Sequence, residues 1–228
     1  MKKCYNCGVP FSELKKVERT KEHIPARALF AGYPLEYREN RETVPACLKC
    51  NEEYASIDDE IRDLIGVTNE SDAQKKELAA RTVRKIFSNK KELDNRISIE
   101  NDKISFKFNM SVIDKLHFKN FKGIYTAITK KPLSDCYKLD VYSLGQDENK
   151  LNLGAKFIKE IEELDNWNIS GHKNVFKYKM VAIEDNSTTL LNFENEIIKL
   201  EPKYIMCAMQ YNLTVVALVV GLKEDINL

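Results

Sequence analysis

Four of the chain's six cysteines fall in two Cys-x-x-Cys pairs, Cys4/Cys7 and Cys47/Cys50. Two thiolates three positions apart can reach one ion from a tight turn, and two such turns complete a tetrahedron. That is the donor set of structural zinc. The N-terminus, Met1-Lys2-Lys3-Cys4-Tyr5-Asn6-Cys7, has no apolar stretch behind its positive charges and does not read as an export signal. A cytoplasmic setting is therefore expected, where paired cysteines favour zinc over disulfides. Cys136 and Cys207 stand alone and read as small apolar fillers.

Positioning four thiolates needs local elements around them. Cys4-Tyr5-Asn6-Cys7-Gly8 reads as a knuckle, Val17–Ile24 as a short strand, Ala26–Phe30 as a helical turn and Thr43–Ala46 as an extended piece leading to the second knuckle. From Asn51 to Ile65 the apolar residues Tyr54, Ile57, Ile61, Leu64 and Ile65 recur at steps of three and four, which predicts a helix stopped by Gly66. A second amphipathic helix is predicted over Ser71–Phe87, carrying Lys75, Lys76, Arg81, Arg84 and Lys85. Beyond it come a strand at Lys103–Phe108, a helix at Val112–Ile128, strands at Tyr137–Tyr142, Val175–Ile183, Thr188–Phe193, Tyr204–Met209 and Leu213–Val220, and a helix at Ala155–Leu164. The expected class is α+β with a mostly antiparallel sheet. The expected division is 1–67 for the zinc-stapled unit, 68–93 for a basic helical connector and 94–228 for an accessory α+β domain.

Composition narrows the function classes. With 43% apolar and 31% charged residues, 8 Gly and 6 Pro, the chain can bury a core and is neither disordered nor low-complexity. Its longest apolar run, Leu213–Leu222, is about half of what a membrane-spanning helix needs, so no membrane partner is expected. The net charge of +1 is unevenly spread. Residues 67–130 carry 14 Lys+Arg against 8 Asp+Glu, whereas 1–66 have 11 against 12 and 131–228 have 11 against 15. The basic middle third suits a surface that faces nucleic acid, although alternating charges on a solvated helix would look the same.

Between the knuckles lies Thr20-Lys21-Glu22-His23-Ile24-Pro25, and Asn51 directly follows the second one. The ordered set Cys-x2-Cys, Glu-His-Ile-Pro, Cys-x2-Cys-Asn resembles the HNH nuclease family, over roughly residues 4 to 66. The resemblance implies a ββα-metal core and hydrolysis of DNA phosphodiesters, leaving a 5′-phosphate and a 3′-hydroxyl. It implies His23 as the general base, Glu22 and Asn51 as ligands of a catalytic Mg²⁺ or Mn²⁺, and a separate structural Zn²⁺ on Cys4, Cys7, Cys47 and Cys50. Such roles fit the chemistry. A histidine can take the proton from water, and a divalent cation can hold the phosphate and leaving oxygens as a Lewis acid. Neighbouring strand residues point to opposite faces, so one of Glu22 and His23 binds the ion while the other activates water. Arg19, Lys21 and Arg27 flank the histidine as expected phosphate contacts.

The chain departs from the family pattern at two positions. Where many members carry an Asn before the second knuckle, Glu42 stands here, with Asn40 two residues earlier. A later helical histidine is replaced by Ala55, and Asp58 is a less favoured candidate for a water-mediated ligand. His117 and His172 read as structural or merely exposed. Gly123-Ile124-Tyr125 echoes half of the GIY-YIG nuclease signature, but no Tyr-Ile-Gly follows. The competing function is a zinc-stabilised nucleic-acid-binding module without catalysis. The expected partners are DNA, a second copy paired through the C-terminal part, and a regulatory protein. An anti-phage or mobile-element effector role follows from analogy alone.

Overall fold

The computed structural model describes residues 2–30, 33–55, 57–58, 80, 84, 88, 97–100, 103–107, 109–143, 148–162, 166–183, 191–192, 202–212 and 215–224. Strands β1 (Arg19–Ile24) and β2 (Glu42–Cys47) pair antiparallel, with Glu22 opposite Val44 and His23 opposite Thr43. Helix α1 (Leu48–Glu53) follows β2 directly and is N-capped by Cys47. The helix thus starts three residues before the expected Asn51, which lies inside its first turns and does not cap it. The helical turn expected at Ala26–Phe30 is a 3-10 turn over Arg27–Phe30. The continuation of α1 to Ile65 and the basic helix of Ser71–Phe87 lie outside the described residues, apart from Ile57, Asp58, Ala80 and Arg84, all helical.

Strands β3 (Ile97–Glu100) and β4 (Lys103–Phe106) form a hairpin, of which the sequence reading expected only β4, as part of Lys103–Phe108. Helix α2 (Met110–Thr129) begins at Asn109, whose side chain accepts from the Ser111 N–H. It ends where Lys130 turns left-handed at φ 60°. Its buried stripe of Ile113, Leu116, His117, Asn120, Phe121, Ile124 and Ala127 follows helical spacing.

The main sheet contains β5 (Tyr137–Tyr142), β6 (Asn168–Ile169), β7 (Phe176–Ile183), β8 (Leu191–Asn192), β9 (Tyr204–Tyr211) and β10 (Val215–Lys223). The order is β5-β10-β9-β7-β6, with β8 beside β7, and every pairing is antiparallel. The α+β class with an antiparallel sheet therefore holds. Helix α3 (Glu148–Glu162) starts earlier than the expected Ala155. Strand β10 is central and buried on both faces, each covered by the same chain. Ala217 and Val219 join the α2 cluster, while Leu218 and Val220 pack with Ile161, Phe157 and Ile158 of α3.

A single apolar cluster runs from Cys4, Tyr5, Ile24, Phe30 and Val44, through Ile113, Leu116, Phe121 and Ile124 of α2, to Phe176, Met209 and Tyr211 of the sheet. Helix α2 is the shared wall. It approaches β1 so closely that a Cβ at Gly123 would overlap the Ile24 side chain. This contact accounts for the glycine in Gly123-Ile124-Tyr125 without any nuclease signature. The far end of β1 is tied to the sheet by Ser170, whose hydroxyl donates to the Ile24 carbonyl and accepts from the Glu42 N–H.

Candidate functional site

The four paired cysteines meet at one point, their sulfurs all within 4.8 Å of one another. The first knuckle closes through the Gly8 N–H donating to the Cys4 carbonyl at 3.0 Å, with Gly8 at φ 71°. In the second, Cys47 caps α1 and Cys50 sits one turn in, which turns both sulfurs toward the first pair. Cys7 and Cys47 are 3.8 Å apart. Tetrahedral zinc with bonds of about 2.3 Å sets sulfurs about 3.8 Å from each other. Burial works to raise the Cys4 thiol, yet backbone amides of Cys7, Cys47 and Asn6 hold it below its ordinary value. Asn6 donates to the Cys50 sulfur at 3.5 Å, and its oxygen accepts from Lys122 of α2 at 3.3 Å. Such outer contacts orient ligands and tie the cluster to the helix behind it. These four cysteines can hold a metal such as zinc.

Glu22 points the other way from His23, into the protein, and is only 6% exposed. One carboxylate oxygen, Oε1, accepts from the His23 N–H at 3.1 Å and lies 3.5 Å from the ammonium of Lys119. Lys119, on α2, has no exposed surface and donates to both carboxylate oxygens of Asp58 at 2.9 Å. Its ammonium also lies 5.2 Å from the Tyr54 ring centroid. Burial pushes the Glu22 carboxyl up and Asp58 adds to the rise, while Lys119 draws it back. The other oxygen, Oε2, is buried without a partner among the described residues. A divalent cation on Glu22 would have to share this space with a resident ammonium that already serves both carboxylates. The described residues therefore do not fit an open catalytic cation site on Glu22. Asn51, half-buried on α1, makes no described contact with it.

His23 faces outward, half-buried, and its ring makes no hydrogen bond among the described residues. Thr43, not Glu42, is its strand neighbour, while the carboxylate of Glu42 acts on Tyr178. Burial lowers the His23 pKa, and Arg41, Lys21 and Arg27 lower it further by repulsion, so the ring stays neutral at neutral pH. Lys21 and Arg27 are thus brought to the histidine, as expected. Arg19 is not: its guanidinium donates twice to the Leu14 carbonyl, at 3.1 and 2.8 Å, and it sits opposite Cys47 at the other end of the strand.

Several elements escaped the sequence reading. Arg38 and Arg41 lie on the stretch between the two strands, where the sequence pointed to Arg27 and Asn40 but not to them. Lys119 carried one signal, a cation three residues after Leu116 on a stripe that turned out to be buried. His117 is structural: its Nδ1 lies 3.2 Å from the Tyr211 hydroxyl. His172 stacks on Tyr37, ring centroids 3.5 Å apart. Cys207 is buried in the sheet, and Cys136 is half-buried. A cleft of about 670 Å³ opens beside β2, with Lys2, Lys3, Lys130 and Lys131 on its rim.

Among the described residues no helix is long and apolar enough to cross a membrane. Compared with protein-family models, curated protein sequences and solved structures, the chain matches none.

Proposed function

We propose that the chain is a DNA phosphodiester hydrolase of the HNH kind, with His23 as the general base. The observation that carries this reading is the placement of His23 itself. It stands on the outer face of an antiparallel pair that runs into a helix, with a neutral ring free to accept a proton and three cations, Arg41, Lys21 and Arg27, near enough to act on it. A neutral imidazole is the form that can take a proton from water. Neighbouring positive charge can hold the phosphate whose bond the water attacks. The four-cysteine cluster has a structural part, anchoring the start of α1 and the end of β2 so that the histidine strand keeps its register.

The Lys119 pair favours a second reading, a zinc-stapled nucleic-acid-binding module. In that reading the ammonium has replaced the catalytic cation between Glu22 and Asp58, and the cations around His23 bind without cutting. A divalent requirement belongs to the first reading only, and Glu22, beside the Lys119 ammonium, does not meet it. The anti-phage setting, the regulatory partner and the pairing of two copies remain attached to that first reading by analogy.

Incubating purified protein with supercoiled plasmid separates the two. Wild type with Mg²⁺ or Mn²⁺ should nick it, His23→Ala should not, and leaving out the added Mg²⁺ or Mn²⁺ should stop the reaction. Equal plasmid integrity with wild type and His23→Ala under every metal tested overturns the hydrolase and leaves the module.

A further inference from the structure

Arg27 and Arg41 act electrostatically on His23, and Arg38 acts on Arg41, while Glu22 offsets Arg41 in part without forming an ion pair with it. Arg41 donates its Nε–H to the Arg38 carbonyl at 3.0 Å, and its guanidinium lies 5.4 Å from the Phe30 ring centroid. Arg38 in turn donates to the Phe30 carbonyl at 3.4 Å. Arg27 is close enough to act electrostatically on both Arg41 and His23. Among the described residues no carboxylate forms an ion pair with Arg27, Arg38 or Arg41. The Nε of Arg38 and the Nη1 of Arg41 are buried and have no hydrogen-bond partner among the described residues.

Such an arrangement is costly in isolation. Buried donors on charged groups are normally paired, and like charges held together repel. Arginine cannot relieve the repulsion by losing its proton, since its pKa stays far above neutrality. The fold nevertheless holds the cluster in place. Glu42, beside Arg41 in sequence, turns toward Tyr178. The connecting stretch is clamped by the Tyr33 hydroxyl donating to Asn212 at 2.9 Å, by Tyr37 stacked on His172, and by the Gly171 N–H donating to the Asn40 carbonyl at 3.3 Å. The guanidinium forks are held before any ligand arrives, which limits the ordering cost of binding.

We infer that Arg27, Arg38 and Arg41 form a binding site for one phosphate group, directly beside His23. The guanidinium fork matches two phosphate oxygens at once, and the orphaned N–H groups supply the donors. This deepens the hydrolase reading by naming the group it grips, the backbone phosphate of DNA, yet binding does not depend on cleavage. The cluster would place a phosphorus within reach of a water held by the histidine.

The test is titration of the full-length protein with inorganic phosphate, and separately with a short DNA duplex, in buffer without added Mg²⁺ or Mn²⁺ and without chelator, so that no cutting intervenes and the cysteine cluster keeps its metal. Wild type should bind both. Arg41→Gln should weaken both by about tenfold or more, the loss expected of a charge-assisted bidentate contact. Arg27→Gln, at an exposed position, should weaken both without disturbing the fold, and so covers the case in which the Arg41 variant fails to fold. Lys138→Gln, at an exposed position on β5, should change phosphate binding by less than about twofold. Undiminished phosphate affinity in folded Arg41→Gln and Arg27→Gln overturns the site, as does an equal loss in Lys138→Gln. Binding of duplex but not of inorganic phosphate also overturns it, since it assigns the affinity to the wider basic surface. If the arginine variants lose phosphate while His23→Ala cuts plasmid as wild type does, the site stands and the hydrolase reading falls. If His23→Ala abolishes cutting while the arginine variants bind as before, the reverse holds.

Discussion

The four-cysteine N-terminal part and the C-terminal sheet share one apolar cluster but differ in what holds them. The sheet is self-sufficient in apolar side chains. Strands β7, β9 and β10 are buried along most of their length, and α2 and α3 cover the two faces. The N-terminal part contributes few large apolar groups, chiefly Tyr5, Ile24, Leu29, Phe30 and Val44, and three of its four clustered cysteines are themselves buried. It therefore leans on α2 along its side, and at one end it has a cysteine cluster that can hold a metal. The difference teaches where chemistry can be placed. The part with the weaker core carries its polar and charged groups at the interface and on its open face, beside a potential metal cluster and ionic contacts and not within apolar bulk.

Removing the metal should be the sharpest break in this comparison. We expect one zinc per chain. Cys47→Ser should lose it and the ordered N-terminal part with it, because structural zinc contributes on the order of 10 kcal/mol coupled to folding. Elemental analysis together with circular dichroism checks this, and full metal content in a folded Cys47→Ser would contradict it.

Next in size is the ionic seam between the parts. Lys119→Met leaves Glu22 and Asp58 buried beside an apolar stem, and losing one member of a buried pair costs about 3–5 kcal/mol. Urea unfolding measures the loss. The same variant sharpens the functional question: if Mn²⁺ restores stability to Lys119→Met and not to wild type, the ammonium stands where a cation can bind.

The packed contact between α2 and β1 should matter less. Gly123→Ala gains about 1 kcal/mol in helix propensity but forces a methyl into Ile24, with a net loss of about 1–2 kcal/mol. In an Ile24→Ala background the same change should be neutral or stabilising, which a double-mutant cycle in urea reads directly.

Smallest at neutral pH, and growing only as the solution is acidified, is a pH dependence seated where α2 meets the sheet. Burial lowers the His117 pKa to about 3, so the folded state refuses a proton that the unfolded chain accepts below its ordinary value. Its contribution is fully present above about pH 6.5 and is lost as pH falls toward the folded pKa, at about 1.4 kcal/mol per pH unit. His117→Gln should remove that part of the slope. Comparing the acid limbs of the two proteins isolates it from the buried carboxylates.

Some of this was legible in the residues alone. The cysteine spacing pointed to a shared metal site because ligand geometry within a knuckle is local, set by two intervening residues and a glycine that can turn left-handed. Helical stripes and short mixed, extended or strongly apolar runs located β1, β2, α2, β5, β7, β9 and β10, and alternation located β4. Strand β8 lies inside the expected Thr188–Phe193, whereas the two-residue β6 left too little sequence for a period to show.

What the tertiary structure alone decided is how charges meet. Glu22 lay one position before a histidine and matched a ligand motif, yet its partner is Lys119, nearly a hundred residues on and carried by a helix whose register a single glycine permits. Arg38 and Arg41 belonged to no motif, and they reach Arg27 and His23 only because the chain between the strands is folded back and clamped to the sheet. Electrostatic partners are chosen by distance in space, and a one-dimensional pattern carries the spacing of ligands on one turn but not the meeting of side chains from separate elements.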